Sequence, residues 1–142
     1  MRILFVCREN ACRSQIAEAF ARAYGGDQVQ ACSAGSRPRG SVDRGAIAVM
    51  AERGISMAPQ QSKGVTELPQ TVWDVVVGVG CGYACPVVTA KRREDWDVPD
   101  PAGHDLATYR AIRDDIDSRV KRLLAGLGLP VRSDGSAQQV SG

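Results

Sequence analysis

Two stretches of this chain are apolar at every position instead of every second one. They are Ile3-Leu4-Phe5-Val6 and Val75-Val76-Val77. Strands with both faces covered read this way, and such strands belong to parallel sheets. Stripes of helical period lie between and after them. Ile16, Phe20 and Tyr24 recur every four residues with Ala17 beside them, and Gly25-Gly26 stops the run. Ala46, Ile47 and Met50 mark a helix from about Asp43 to Arg53, ended by Gly54. Leu106, Tyr109, Ile112, Ile116, Val120, Leu123 and Leu124 keep to one face of a helix from about Asp105 to Ala125, with Asp105 at its start. A short strand is expected near Val29–Cys32, and a Pro/Gly loop over Ser36–Gly40. Strands alternating with helices imply an α/β fold in three layers, with a parallel sheet in the middle.

At 142 residues one domain is expected, here residues 1–130, followed by a small, polar tail over 131–142. A net charge of +2 is too small for a nucleic-acid footprint or a polybasic membrane face. No apolar run approaches the length of a membrane span. The opening residues lack a secretory pattern, so a cytoplasmic location is expected. The five cysteines, Cys7, Cys12, Cys32, Cys81 and Cys85, are an odd number. In a reducing compartment such a set favours reactive over structural roles. His104 is the only histidine, which argues against His-rich metal sites and Cys–His pairs.

Chemistry concentrates where the first strand should end. The sequence there is Cys7-Arg8-Glu9-Asn10-Ala11-Cys12-Arg13-Ser14. A loop joining a strand end to a helix start gathers backbone N–H groups into a bowl. The helix dipole adds positive charge, so a tetrahedral oxyanion is the natural guest. A thiol held there becomes a thiolate nucleophile. Arg13 supplies a planar fork for two oxygens, and Ser14 can donate to the Cys7 sulfur or cap the helix. Asn10 tolerates the positive φ that a tight bowl requires. Residues 8–14 are thus the candidate oxyanion-binding set. No phosphate loop of the Gly-Lys-Ser/Thr type is present, and Gly78-Val79-Gly80-Cys81-Gly82 lacks the third glycine of a dinucleotide fingerprint.

Attack by Cys7 on a tetrahedral centre requires a proton for the departing oxygen. Asp100 stands before Pro101, which biases it toward extended backbone able to project its carboxyl. Glu94, Asp95 and Asp97 lie close by, and spacing alone does not choose among them. Cys81 and Cys85 are four residues apart. One helical turn would bring their Cα atoms to about 6 Å, inside the disulfide range. Gly82 and Pro86 loosen the segment, which suits thiols that exchange partners. Two structural thiols, or half a zinc site completed by Cys7 and Cys12, are the alternatives. The zinc site would occupy the nucleophile and ignore Arg13, so no metal is assigned. In parallel sheets ligands sit beyond the carboxyl ends of the strands, where both cysteine segments should meet.

The stretch from Cys7 to Glu18 resembles the active-site loop of arsenate reductases built on the low-molecular-weight protein tyrosine phosphatase fold. The resemblance continues through Ser33-Ala34-Gly35, Val49-Met50, Gly54-Ile55, Ser62-Lys63, Gly80-Cys81-Gly82, Cys85-Pro86, Asp95-Trp96 and Asp100-Pro101-Ala102-Gly103. It implies a four-stranded parallel sheet flanked by helices. It implies that Cys7 attacks arsenate, that Arg13 and the loop amides bind its oxygens, and that Asp100 is the general acid. Cys81 would then attack the Cys7 adduct, arsenite would leave, and Cys85 would take over Cys81. An external thiol would reopen the Cys81–Cys85 disulfide: thioredoxin first, or mycothiol or glutathione with glutaredoxin. The family's potassium-binding polar residues map in part onto Asn10, Glu18 and Ser33. Phosphate and sulfate would act as mimics of arsenate. The alternative is a phosphatase of the same fold, hydrolysing phosphomonoesters through a Cys7 phosphoenzyme. Such phosphatases usually carry an aromatic residue where Ala102 stands.

Overall fold

A computed structural model describes residues 1–69, 71–80, 88–101 and 103–131. Its elements are β1 (Arg2–Cys7), α1 (Arg13–Gly25), β2 (Gln30–Gly35), α2 (Arg44–Ala51), β3 (Trp73–Val79), β4 (Ala90–Trp96) and α3 (Leu106–Gly126). One-turn 3-10 helices occupy Gly26–Gln28 and Val65–Glu67. The four strands form one parallel sheet in the order β2-β1-β3-β4. All their carboxyl ends therefore lie along one edge. Cys7 and Gly35 stand there in register.

β1 lies inside the sheet, and Ile3, Leu4, Phe5 and Val6 are all fully buried. Ile3 and Phe5 join Val75, Val77 and the apolar stripes of the three α-helices in the main core. Leu4 and Val6 face the other way, into a smaller cluster with Ala34, Trp73 and Val76. Among the described residues, Val65 and Leu68, around the second 3-10 turn, cover that second face. Alternate residues of a strand point to opposite faces, so an unbroken apolar run fits only a strand covered on both.

The helix ends follow their caps. Asp43 accepts from Gly45 N at the start of α2, and Asp105 accepts from Thr108 N at the start of α3. Gly54, with φ 72°, follows the turn after α2. Leu106, expected on the buried stripe of α3, is 45% exposed because it is the first helical residue. β4 went unrecognised in the sequence. Its central residues Lys91-Arg92-Arg93-Glu94-Asp95 carry no apolar pattern, because β4 is an edge strand and charge there discourages pairing with other chains. None of the described helices is long and apolar enough to cross a membrane.

Candidate active site

Cys7 is the last residue of β1 and is buried. The chain then turns through residues 8–12 into α1, with Asn10 at φ 51°. The shape of this turn follows from where its carbonyls go. Arg8 O accepts from Arg37 N at 2.8 Å, Glu9 O from Arg39 N at 3.0 Å, and Ala11 O from Asp43 N at 2.9 Å. Asn10 O accepts from Gln15 Nε2 at 3.0 Å, and Cys12 O from Ile16 N at 2.9 Å. No peptide bond here is cis. In a trans peptide the C=O and N–H point in opposite directions. Carbonyls held by neighbouring segments therefore leave the amides of Glu9, Asn10, Ala11, Cys12 and Arg13 pointing away from those segments. Gly35 lies beneath the turn. A Cβ there would sit 2.6 Å from Arg8 O and 2.9 Å from Asn10 N, so the close approach requires glycine.

A buried hydrogen-bond chain leads to the sulfur. Lys63 N–H can only donate, so its partner at 2.8 Å is the Asn10 side-chain oxygen. That orientation directs Asn10 Nδ2 at Ser14 Oγ, 2.9 Å away. Ser14 Oγ lies 2.9 Å from Cys7 Sγ, a contact in which either atom can donate and in which the hydroxyl is the donor once the sulfur is a thiolate. Gln15 Nε2 also donates to the Asn10 side-chain oxygen at 2.9 Å, and Gln60 Nε2 donates to Gln15 Oε1 at 2.7 Å. Asn10, Ser14 and Gln15 are wholly buried.

Across the bowl, Arg13 Nη1 donates to Gly80 O at 3.0 Å and Val98 O at 2.9 Å, just beyond the ends of β3 and β4. These bonds engage one nitrogen of the guanidinium. Its Nη2 lies 3.9 Å from the Asp100 carboxylate. The other nearby acids have different partners. Glu94 pairs with Arg92 and accepts from Trp96 Nε1, and Asp95 pairs with Arg93 at 3.6 Å. Asp97 is exposed at the end of β4. Asp100 is thus the acid that the fold brings beside Arg13.

A strand-end cysteine and an arginine six residues after it, at the start of a helix, are features of a known lineage. The sequence profile of the low molecular weight phosphotyrosine protein phosphatases matches residues 2–133. The chain belongs to this phosphatase family. Within it, a glutaredoxin arsenate reductase from Synechocystis is 37% identical over 127 residues, spanning 87% of this chain and 96% of the relative. A solved arsenate reductase in its phosphate-binding state superposes with a TM-score of 0.80 at 37% identity, covering 88% of this chain and 97% of that one. A thioredoxin-dependent arsenate reductase of Corynebacterium glutamicum gives 0.72 at 31% identity, over 89% of this chain and 61% of its own.

In this family member Cys12 caps α1 by position but makes no side-chain capping bond. Burial pushes its thiol far up, with Asp43, Asp100 and Cys7 adding to the effect, so Cys12 remains a neutral thiol. Burial and Glu18 also raise Cys32. The oxygens considered for potassium already have partners. Asn10 accepts from Gln15 and Lys63, and Glu18 takes the Ser33 hydroxyl at 2.5 Å and the Arg22 guanidinium. Arg22 supplies the positive charge there, so the set does not fit a bound cation as it stands. Cys81, Cys85 and Ala102, and the expected tail beyond Val131, lie outside the described residues.

Sequence reasoning assigned no role to Gln60 or Gly80, and it read Asp43 only as a helix start. Gln60 gives no local signal, being one polar loop residue among several. Gly80 enters the sequence reading only as part of an incomplete glycine fingerprint and of the family motif around Cys81, whereas it has φ 74° and its carbonyl anchors Arg13.

Proposed function

We propose that this protein reduces arsenate to arsenite, with Cys7 as nucleophile. The observation that supports this reading is a loop whose carbonyls are held by neighbouring segments, its amides turned the other way, beside a Cys7 sulfur 2.9 Å from Ser14 Oγ. Such a bowl stabilises a thiolate and holds a tetrahedral oxyanion in line with it. The likeness to arsenate reductases selects arsenate among the oxyanions.

In this reading arsenate takes the place of phosphate in the bowl. Its oxygens receive hydrogen bonds from the loop amides of residues 8–14 and from Arg13. The Cys7 thiolate forms a bond to arsenic, and Asp100 supplies the proton that lets one oxygen leave as water. Cys81 then attacks the Cys7 sulfur. The sulfur–arsenic bond breaks with its electron pair on arsenic, which leaves as arsenite. Two thiols are thereby oxidised to a Cys7–Cys81 disulfide. Cys85 attacks Cys81, frees Cys7, and leaves a Cys81–Cys85 disulfide. An intramolecular disulfide calls for an external thiol, and a dithiol carrier of the thioredoxin class is the proposed one. The reducing cytoplasm supplies such carriers.

Purified protein is given arsenate with a thioredoxin, a glutathione–glutaredoxin or a mycothiol system, and arsenite is measured. Turnover with thioredoxin is expected, while Cys81→Ser should form a single round of adduct and then stop. Normal turnover by Cys81→Ser sinks the relay, and faster turnover with another system replaces the carrier. The phosphatase reading is tested alongside with an aryl phosphate. If that substrate has the higher kcat/KM and needs neither Cys81 nor Cys85, phosphate ester hydrolysis is the activity instead.

A further inference from the structure

Among the described residues, ten lysines and arginines form ion pairs. Arg8, Arg37, Arg39 and Arg44 are not among them, and none of their side chains has a hydrogen-bond partner among the described residues. All four are exposed. They are also neighbours. Arg37 N bonds the Arg8 carbonyl, Arg39 N the Glu9 carbonyl, and Asp43, just before Arg44, the Ala11 carbonyl. The strip that holds the loop carbonyls thus bears four guanidinium groups without such partners among the described residues, whereas Arg122, which also has none there, stands apart on α3. Three acids share this face. Glu9 is exposed, Asp43 is engaged by Gly45 N and Tyr109 Oη, and Asp100 lies beside Arg13.

We propose that Arg8, Arg37, Arg39 and Arg44 form a cationic rim that draws multiply charged oxyanions to the Cys7 bowl. The rim works by attraction at a distance and makes no bond in the reaction. A chain of net charge +2 has little overall field, so charge concentrated at one mouth dominates what an approaching anion meets. Exposed charges act over about 10 Å at 0.1 M salt, which is the scale of this loop. The rim deepens the oxyanion reading of the site, since it selects anions among possible reagents of Cys7. It does not depend on the reduction that follows.

The test uses the full-length reduced protein and two alkylating probes of the same thiol. Iodoacetate is an anion and iodoacetamide is neutral, and the labelling rate of the Cys7 peptide is followed by mass spectrometry. The ratio of the two rates should fall about tenfold between low and high salt. It should fall by a similar factor at low salt in the combined variant Arg37→Gln, Arg39→Gln, Arg44→Gln, with the iodoacetamide rate unchanged. The same variant should raise KM for arsenate and leave kcat alone. A ratio indifferent to salt, or equal in variant and wild type, overturns the rim. If the combined variant loses the iodoacetamide rate as well, the three single variants replace it, each expected to lower the ratio about twofold. A salt-sensitive ratio in a protein that does not reduce arsenate keeps the rim and discards the reductase reading. Reduction with a flat ratio does the reverse.

Discussion

Tyr109 donates a 2.7 Å hydrogen bond to Asp43, and Asp43 N in turn holds the Ala11 carbonyl. The last helix is therefore tied to the wall of the Cys7 loop. Gly45 permits this, because a Cβ there would lie 2.5 Å from the Tyr109 ring.

Tyr109→Phe should lower unfolding stability by about 1 kcal/mol, measured by urea denaturation. Burial and Asp43 raise the Tyr109 hydroxyl above its ordinary range, and burial and Asp117 do the same to Tyr24. A raised group contributes stability that is fully present below its unfolded pKa, about 10 for tyrosine, and lost as pH climbs toward the folded value. Wild-type stability should thus drop above about pH 10 more steeply than that of a Tyr24→Phe, Tyr109→Phe double variant. Parallel curves would refute the assignment.

Ser14→Ala removes the one hydroxyl bonded to Cys7 Sγ. A hydrogen bond to a charged group contributes roughly 1.5–3 kcal/mol, so alkylation of Cys7 at pH 7 should slow about ten- to hundredfold. An unchanged rate would mean that the Ser14 hydrogen does not act on sulfur.

Asn10 combines a backbone duty with a side-chain one, and two variants separate them. Asn10→Ala leaves φ 51° to a residue without asparagine's tolerance for it, at a cost of up to roughly 1–2 kcal/mol. Asn10→Gly avoids that cost but also loses the bonds to Ser14, Gln15 and Lys63. The glycine variant should be the more stable by about 1 kcal/mol, and both should be slow in Cys7 alkylation. A glycine variant reacting at the wild-type rate would confine Asn10 to backbone geometry.

Gly80→Ala should disturb Arg13 from a distance in sequence. At φ 74° a Cβ would run into the Arg13 guanidinium and the Val98 carbonyl. Phosphate affinity, read by calorimetry, should weaken about tenfold or more, as expected from loss of one charge-assisted bond. Wild-type affinity would show that Arg13 needs no anchor there.

Much of this architecture could be read from neighbouring residues. The double-faced run at Ile3–Val6, the stripe from Ile16 to Tyr24 and the tolerance of Asn10 for positive φ are local properties, and each reappears in the fold. β4 could not be read this way, because an edge strand whose centre is charged at every position lacks the hydrophobic pattern on which recognition rests. Nor could Gln60, whose partner Gln15 lies 45 residues away.

By itself the sequence determined the candidate nucleophile, the arginine six residues after it and the strand-to-helix turn between them. Those depend on residue chemistry and on periods of a few positions. The tertiary structure alone decided that Asp100, and not Glu94 or Asp95, stands beside Arg13, and that residues 37–43 draw the loop carbonyls outward. These outcomes depend on hydrogen bonds and ion pairs between segments that only the folded sheet brings together, and no local pattern encodes such distances.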